Sequence, residues 1–241
     1  MVVRLLVTLI LAVMGAVPAS AGPWPRDRGA AFLALSQERS RDGSSYSAFY
    51  SEYGLGPRLT LGLELGRTQG ESNALLWLQW ARDPAFGANR WSTALGLGVV
   101  RREGRLHPLG QVSIHWGRGL DGIPVLRALP GGGWVAVDLR GKISTRQKSV
   151  GFHSQGREAW VSYLTPQTAI KLDATLGWNA RPNLKFISQL QIEHRDDGSR
   201  SRLALSMVRG FGGPVWVELG AIAPLDRKGD TALKLGLWLE F

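Results

Sequence analysis

The side chains that could do chemistry in this chain are sparse, and their spacing gives no metal or cofactor site. The four histidines are His107, His115, His153 and His194. No two of them stand at the i, i+4 spacing of a helix or the i, i+2 spacing of a strand, which would place two metal ligands side by side. The chain has no cysteine, which excludes a disulfide framework, a cysteine-ligated zinc site and thiol catalysis. We therefore predict that the protein binds no metal and no cofactor.

His153 and Ser154 place a possible base next to a possible nucleophile. A histidine activates a serine by accepting its hydroxyl proton, so the two side chains must reach the same point. Adjacent residues of a strand point to opposite faces, whereas a loop could bring them together. We predict that the protein is not an enzyme, and a hydrolase built on His153 and Ser154 remains the alternative.

Residues 1–21 have the features of a secretory signal peptide. Arg4 precedes an apolar run from Leu5 to Val17, which has the length of a signal-peptide core and is too short to span a bilayer. The small residues Ala19-Ser20-Ala21 supply the cleavage site. The net charge of +10 would suit a nucleic-acid-binding protein, but an exported chain does not normally meet nucleic acid. We expect cleavage after Ala21, export and no nucleic-acid partner.

Beyond residue 29 the dominant hydrophobic period is two, which is the period of a β-strand. Every second residue of 59–66 is a leucine, and similar alternation recurs at 91–99, 170–178 and 233–241. The pattern predicts twelve strands, at 30–39, 46–54, 58–67, 73–82, 90–101, 110–119, 134–143, 168–179, 183–194, 201–210, 214–222 and 231–241.

The length of these strands indicates a membrane protein. Most span about nine to twelve residues, whereas globular strands average about five or six and a tilted membrane-spanning strand needs about nine to eleven. We therefore predict an all-β fold, a closed antiparallel transmembrane β-barrel of twelve strands with both termini on the periplasmic side. The predicted units are a signal peptide at 1–21, a short periplasmic N-terminal segment at 22–28 and the barrel at 29–241. The longest connection, Ser144 to Gln167, is expected on the extracellular side, and 157–165 could hold another strand.

The alternation also assigns each strand residue to the lumen or to the lipid. The polar residues assigned to the lumen are Glu38, Glu52, Glu64, His115, Asp138, Arg140, Lys171, Asp173, Lys185, Glu193, Arg202, Glu218, Lys234 and Glu240. Acids outnumber bases in this set, and the glycines between them are expected to leave room for water. Two interpretations stay open: ion pairs that hold the interior together, or a narrow hydrophilic pathway with weak overall selectivity.

Aromatic and basic residues indicate how the barrel meets its surroundings. Trp80, Trp91, Trp116 and Trp178 stand at one level near the periplasmic ends of their strands, where an aromatic girdle would lie. The extracellular segments are rich in Arg and Lys, which we expect to contact outer-membrane lipid and the phosphates of lipopolysaccharide. Simple solvation of a loop surface is the alternative.

Short motifs resemble known outer-membrane proteins. The ending Leu233-Lys-Leu-Gly-Leu-Trp-Leu-Glu-Phe241 resembles the terminal strand of Gram-negative outer-membrane β-barrels, and the resemblance implies that Phe241 is part of the signal for the barrel assembly machinery. Trp24-Pro25-Arg26 before the first strand is similar to uncharacterised small barrel proteins of proteobacteria. The segment 151–157 is similar to the His-x-Ser-Asn-Gly element of outer-membrane phospholipases, but here Ser154 directly follows His153.

Together these features predict a barrel in the outer membrane of a Gram-negative bacterium that acts as a narrow passive channel or small-solute transporter. One alternative is a lipid-active, phospholipase-like hydrolase. The other is a structural barrel, without enzymatic activity, whose basic loops bind lipopolysaccharide. The sequence does not identify the solute or the oligomeric state.

Overall fold

The computed structural model describes residues 22–82, 88–121, 131–154, 157–196, 198–226 and 230–241, and for 148–162 it describes the backbone alone. Twelve antiparallel strands form one closed barrel in which each strand pairs with its neighbours in sequence and β1 pairs with β12. The strands are β1 Ala31–Ser40, β2 Ser45–Gly56, β3 Leu59–Arg67, β4 Glu71–Ala81, β5 Asn89–Arg102, β6 Arg105–Gly119, β7 Gly133–Ser154, β8 Arg157–Arg181, β9 Leu184–Arg195, β10 Gly198–Gly210, β11 Val215–Pro224 and β12 Ala232–Glu240. This confirms the predicted fold class and strand order.

The start of β1 and the end of the chain meet where the barrel closes. Ala31 N donates to Phe241 O at 3.0 Å, and Phe241 N donates to Ala31 O at 2.8 Å. The start of β1 and the end of β12 therefore lie at one end of the barrel, which we call the terminal end; we call the opposite end the hairpin end. In the described part of the chain, no helix is long and apolar enough to cross a membrane.

Alternation along the strands separates an apolar outer face from a buried inner face. On β5, Leu95 and Leu97 are 69% and 78% exposed, whereas Ala94 and Gly96, which alternate with them, are buried. Successive side chains of a strand point to opposite faces, so the leucines cover the outside of the barrel. A continuous apolar outer face is what a membrane-spanning barrel requires.

The hairpin between β5 and β6 shows how tightly the strands connect at the hairpin end. Arg102 pairs with Arg105, so two residues form the turn. Glu103 and Gly104 have φ angles of 50° and 78°. Positive φ at both central positions is typical of a type I′ turn, whose twist matches that of the flanking strands.

The prediction of a long connection from Ser144 to Gln167 is wrong. β7 and β8 remain paired from Gly133–Trp178 to Ser154–Arg157. Ser144 is the last residue of β7 that pairs with β6, and Ala169 is the first residue of β8 that pairs with β9. Beyond these points β7 and β8 form a two-stranded ribbon, so 157–165 belongs to β8 and is not an additional strand. The two strands of this ribbon are held by hydrogen bonds to each other and, in their described residues, pair with no other strand, so they need no alternation of apolar and polar residues. For this reason the hydrophobic pattern of the sequence did not reveal the ribbon.

Candidate functional site

Contacts between non-neighbouring strands define the interior of the barrel. Lys142 Nζ on β7 lies 3.2 Å from Glu64 Oε1 on β3. Arg202 Nη1 on β10 lies 3.3 Å from Glu38 Oε2 on β1. Since these strands are not adjacent, the side chains meet only by crossing the lumen. The candidate site is therefore the interior itself, bridged by charged side chains.

The N-terminal segment 22–29 lies inside the terminal end of the barrel. Arg26 N donates to Thr60 Oγ1 at 2.9 Å, and Arg26 Nε lies 2.5 Å from Glu52 Oε2. The Arg26 guanidinium also covers the Phe32 ring, with 4.6 Å between Cζ and the ring centroid. Arg26 is 7% exposed and Glu52 is 4% exposed, so this pair is enclosed by protein.

The same segment reaches the opposite wall. Gln79 Nε2 donates to Gly22 O at 2.8 Å, and Pro23 is fully buried. A Cβ on Gly117 would collide with Pro23 and Trp24, and a Cβ on Gly22 would lie 3.5 Å from Asp138 Oδ1. The sequence predicts a short periplasmic segment at 22–28, but in the structure these residues contact inward-facing groups of several strands.

Aromatic rings fill much of the remaining space at this level. Trp77 packs beside Tyr50 with ring centroids 5.9 Å apart, and Phe32 packs edge-on against Trp238 at 5.8 Å. A Cβ on Gly62 would collide with the Trp77 ring. The expectation that the inward glycines leave room for water is therefore wrong at Gly62, because the glycine accommodates an indole ring.

Charges of the same sign stand opposite each other on β7 and β8. Arg140 pairs with Lys171 and Asp138 pairs with Asp173 across the two strands, and like charges directly opposite destabilise a sheet. Two contacts of Asp173 compensate: its Oδ2 lies 2.6 Å from Arg140 Nη2, diagonally across the two strands, and 3.2 Å from Lys171 Nζ on its own strand. Asp173 is 1% exposed, so two cations share one buried carboxylate.

The remaining sequence-predicted lumen residues also have defined surroundings. Glu218 Oε1 lies 2.8 Å from Lys234 Nζ, and its Oε2 accepts a hydrogen bond from Trp238 Nε1 at 3.1 Å. Lys185 Nζ lies 4.2 Å from the centroid of the Trp216 ring. The structure also places Glu193 2.8 Å from Arg195, near the hairpin end, and leaves Glu240 Oε1 buried without a hydrogen-bond partner among the described residues.

Sequence reasoning missed three interior bases and one interior acid. Arg102 Nε on β5 lies 2.5 Å from Glu71 Oε2 on β4, and its guanidinium donates to Ser144 and Gln167. Lys142 and Arg26 bind Glu64 and Glu52, as described above. Arg102 lies just beyond the predicted strand 90–101 and Lys142 near the end of the predicted strand 134–143, and continuing the alternation to the strand ends places both inside. These added bases bring the number of interior cations close to the number of interior acids, so the predicted excess of acids in the lumen almost disappears.

His115 joins a hydrogen-bonded row of side chains. Its Nδ1 lies 2.5 Å from Asp138 Oδ1, and its Nε2 lies 2.9 Å from Ser113 Oγ. This is the order of groups in a serine hydrolase, but Ser113 is 4% exposed and a substrate carbonyl would need open space at its Oγ. The row therefore satisfies buried polar groups. In the described residues, no three His, Cys, Asp or Glu side chains are grouped so that they could bind a metal ion.

Other sequence-predicted residues lie outside the lumen. Trp80 is 65% exposed and Trp91 is 50% exposed, both on the outer face at the terminal end. Trp116 stands beside Trp91 with ring centroids 6.4 Å apart, and Trp178 stacks on Phe186 at 5.7 Å. His153 and Ser154 belong to the end of β7, but their side chains lie outside the described part of the structure, so the hydrolase alternative remains untested there.

Solved structures with this architecture are known. The KdgM porin with disordered oligogalacturonate has a TM-score of 0.59 at 7% identity over 87% of this chain and 99% of that chain. The NanC porin has a TM-score of 0.54 at 10% identity over 87% and 98%. The COG4313 outer membrane channel from Pseudomonas putida F1 has a TM-score of 0.54 at 11% identity over 94% and 100%.

This chain has the fold of outer-membrane β-barrels. At these identities the likeness establishes the fold alone. No protein-family model and no curated protein matches the sequence.

Proposed function

We propose that this barrel lies in the outer membrane of a Gram-negative bacterium and is a narrow passive channel for small solutes. The observation that carries the proposal is the polar lining of the interior, where the ion pairs Glu64–Lys142 and Glu38–Arg202 cross the lumen. A barrel that serves only as a membrane anchor gains nothing from bridging charges, because an apolar filling of the same volume is often as stable or more stable. Selective passage requires such groups along the path.

The comparisons support a channel over an enzyme. The similar structures are named as porins or as an outer membrane channel. The enclosed position of Ser113 is consistent with a protein that performs no hydrolysis. Hydrolysis of phospholipid by the refolded barrel, lost in Ser154→Ala, would favour the hydrolase instead.

The N-terminal segment 22–29 narrows this channel at its terminal end. It contacts Glu52 and Thr60 on β2 and β3, and its Pro23 and Trp24 lie against Gly117 on β6, so it extends from one side of the lumen towards the other. A solute must pass around this segment or displace it. We expect the intact channel to have a small conductance for this reason.

The outer surface fits contact with lipopolysaccharide and recognition by the barrel assembly machinery. Arg39, Arg67 and Arg101 are exposed on the outer face near the hairpin end, where guanidinium groups can bind phosphate through charge-assisted hydrogen bonds. Phe241 ends the chain beside β1, and the alternating strand before it supplies the assembly signal. We therefore include lipopolysaccharide and the barrel assembly machinery among the proposed partners.

Planar-bilayer recording tests the channel directly. The protein beginning at Gly22 should give small conductance steps, and the protein beginning at Gly29 should give larger ones because the segment is absent. Before recording, a gel run without heating should show that both proteins are folded. Silent membranes with both folded proteins would rule out the channel and leave a structural barrel.

A further inference from the structure

One wall of the interior carries acids alone, and the opposite wall carries a group of bases. The inner face of β1–β4 has the acids Glu38, Glu52, Glu64 and Glu71 and, within the described residues, no base. The opposite wall carries Arg140, Lys142, Lys171 and Arg202 on β7, β8 and β10, which we call the basic wall, together with the acids Asp138, Asp173 and Glu193. Arg140 and Lys171 lie opposite each other on β7 and β8 and share Asp173, and Lys142 is two residues after Arg140 on the same face of β7.

The cations of the basic wall are more accessible than the carboxylates that balance them. The Arg140 and Lys171 side chains are 24% and 25% exposed, whereas their shared partner Asp173 is 1% exposed. Arg202 is 41% exposed against 14% for Glu38. Each pair is thus a dipole whose positive end faces the water of the lumen. At the basic wall a permeating ion meets ammonium and guanidinium groups before it meets the paired carboxylates, whereas at the Arg102–Glu71 pair the carboxylate is the more exposed partner.

The crossing ion pairs already show how the basic wall holds an oxyanion. Lys142 binds a carboxylate oxygen of Glu64, and Arg202 binds one of Glu38. An incoming carboxylate or phosphate can replace either glutamate at the same donor, since the charge-assisted hydrogen bond is of the same kind. Arg140 Nε is buried and has no hydrogen-bond partner among the described residues, which leaves further donor capacity.

A cation finds acceptors that are less accessible. Two carboxylate oxygens of the described residues, Asp173 Oδ1 and Glu240 Oε1, have no hydrogen-bond partner there, but both are buried, whereas the Lys142 and Arg202 side chains are 26% and 41% exposed. From these contacts we infer that the basic wall is a binding site for small oxyanions, carboxylates or phosphates, and that it makes the channel anion-selective. The inference rests on the proposed channel function and departs from the expectation of weak selectivity.

Reversal potentials across a potassium chloride gradient test the selectivity with the protein beginning at Gly22. Wild type should pass chloride more readily than potassium. Lys142→Gln and Arg202→Gln should each lower the chloride-to-potassium permeability ratio about threefold, the factor by which a unit charge about 6 Å away changes ion occupancy through water. Inorganic phosphate should reduce the chloride current of wild type and affect these variants less.

Arg67→Gln is the matched control, because it removes the same charge from an exposed outer-face position and should leave the ratio unchanged. A channel that prefers potassium, or a ratio unaffected by both interior variants, would overturn the inference while leaving the channel intact. If the folded proteins beginning at Gly22 and at Gly29 are both silent, the proposed function fails instead. Binding of inorganic phosphate by the solubilised barrel, weakened in Arg202→Gln and unchanged in Arg67→Gln, then still decides whether the site exists.

Discussion

At the scale of single residues, Arg26 fixes the N-terminal segment inside the barrel through its ion pair with Glu52. Removing Arg26 as Arg26→Gln leaves a buried carboxylate without its cation, which should cost about 3–5 kcal/mol of unfolding free energy. Urea titration of the refolded barrel measures this loss. Replacing the exposed Arg28 by Gln is the control and should change stability little. The double variant Arg26→Met with Glu52→Leu should recover most of the loss, because neither charge then remains buried alone.

The partners of individual interior residues could not be predicted from the sequence. Alternation assigns Glu64 to the lumen, but its partner Lys142 comes from a strand 78 positions further along the chain. Such a pairing depends on which strands face each other across the closed barrel, and no local pattern contains that information. The partner of Glu52 belongs to a segment with no strand pattern at all. The sequence predicts that Glu52 and Glu64 point into the barrel. It does not predict which cations they bind there.

At the scale of elements, β5 exposes its leucines to the membrane. Leu95 is 69% exposed at the middle of the strand, and Leu106 is 67% exposed near the hairpin end of β6. An arginine at the bilayer midplane costs about 2–4 kcal/mol, but only about 0–1 near the interface. Leu95→Arg should therefore lower the unfolding free energy in lipid vesicles markedly, and Leu106→Arg much less. Equal losses for the two variants would contradict the assigned depth of β5.

The ribbon formed by the ends of β7 and β8 should be dispensable for the barrel. β6 and β9 contribute their last pairs at Ser144 and Ala169, so the described residues of 149–162 pair only with each other. Replacing 149–162 by a two-residue turn should preserve folding, measured as the mobility difference between unheated and boiled samples. Loss of that difference would mean that the barrel needs the ribbon.

Strand count and order were predictable because the outer face imposes leucine at every second position over the full width of a membrane. The ribbon was not predictable, since its strands lie beyond the barrel and carry no such requirement. The segment 22–28 precedes β1 and has no strand pattern, and its entry into the lumen depends on partners from β2, β3 and β4. Membrane exposure leaves a clear pattern in sequence, and contacts within a polar interior do not.

At the scale of the whole molecule, a closed ring of twelve paired strands has no free edge. A closed barrel must break a complete ladder before it unravels, so the refolded protein should migrate faster unheated than boiled. The segment 22–29 adds contacts across the lumen to this ring, and the protein beginning at Gly29 should lose its fast-migrating form at a lower temperature while still folding at room temperature. A temperature series on one gel measures both forms. Equal transition temperatures would mean that the segment contributes no stability, and identical mobility of heated and unheated samples, with the protein soluble without detergent, would argue against a membrane barrel.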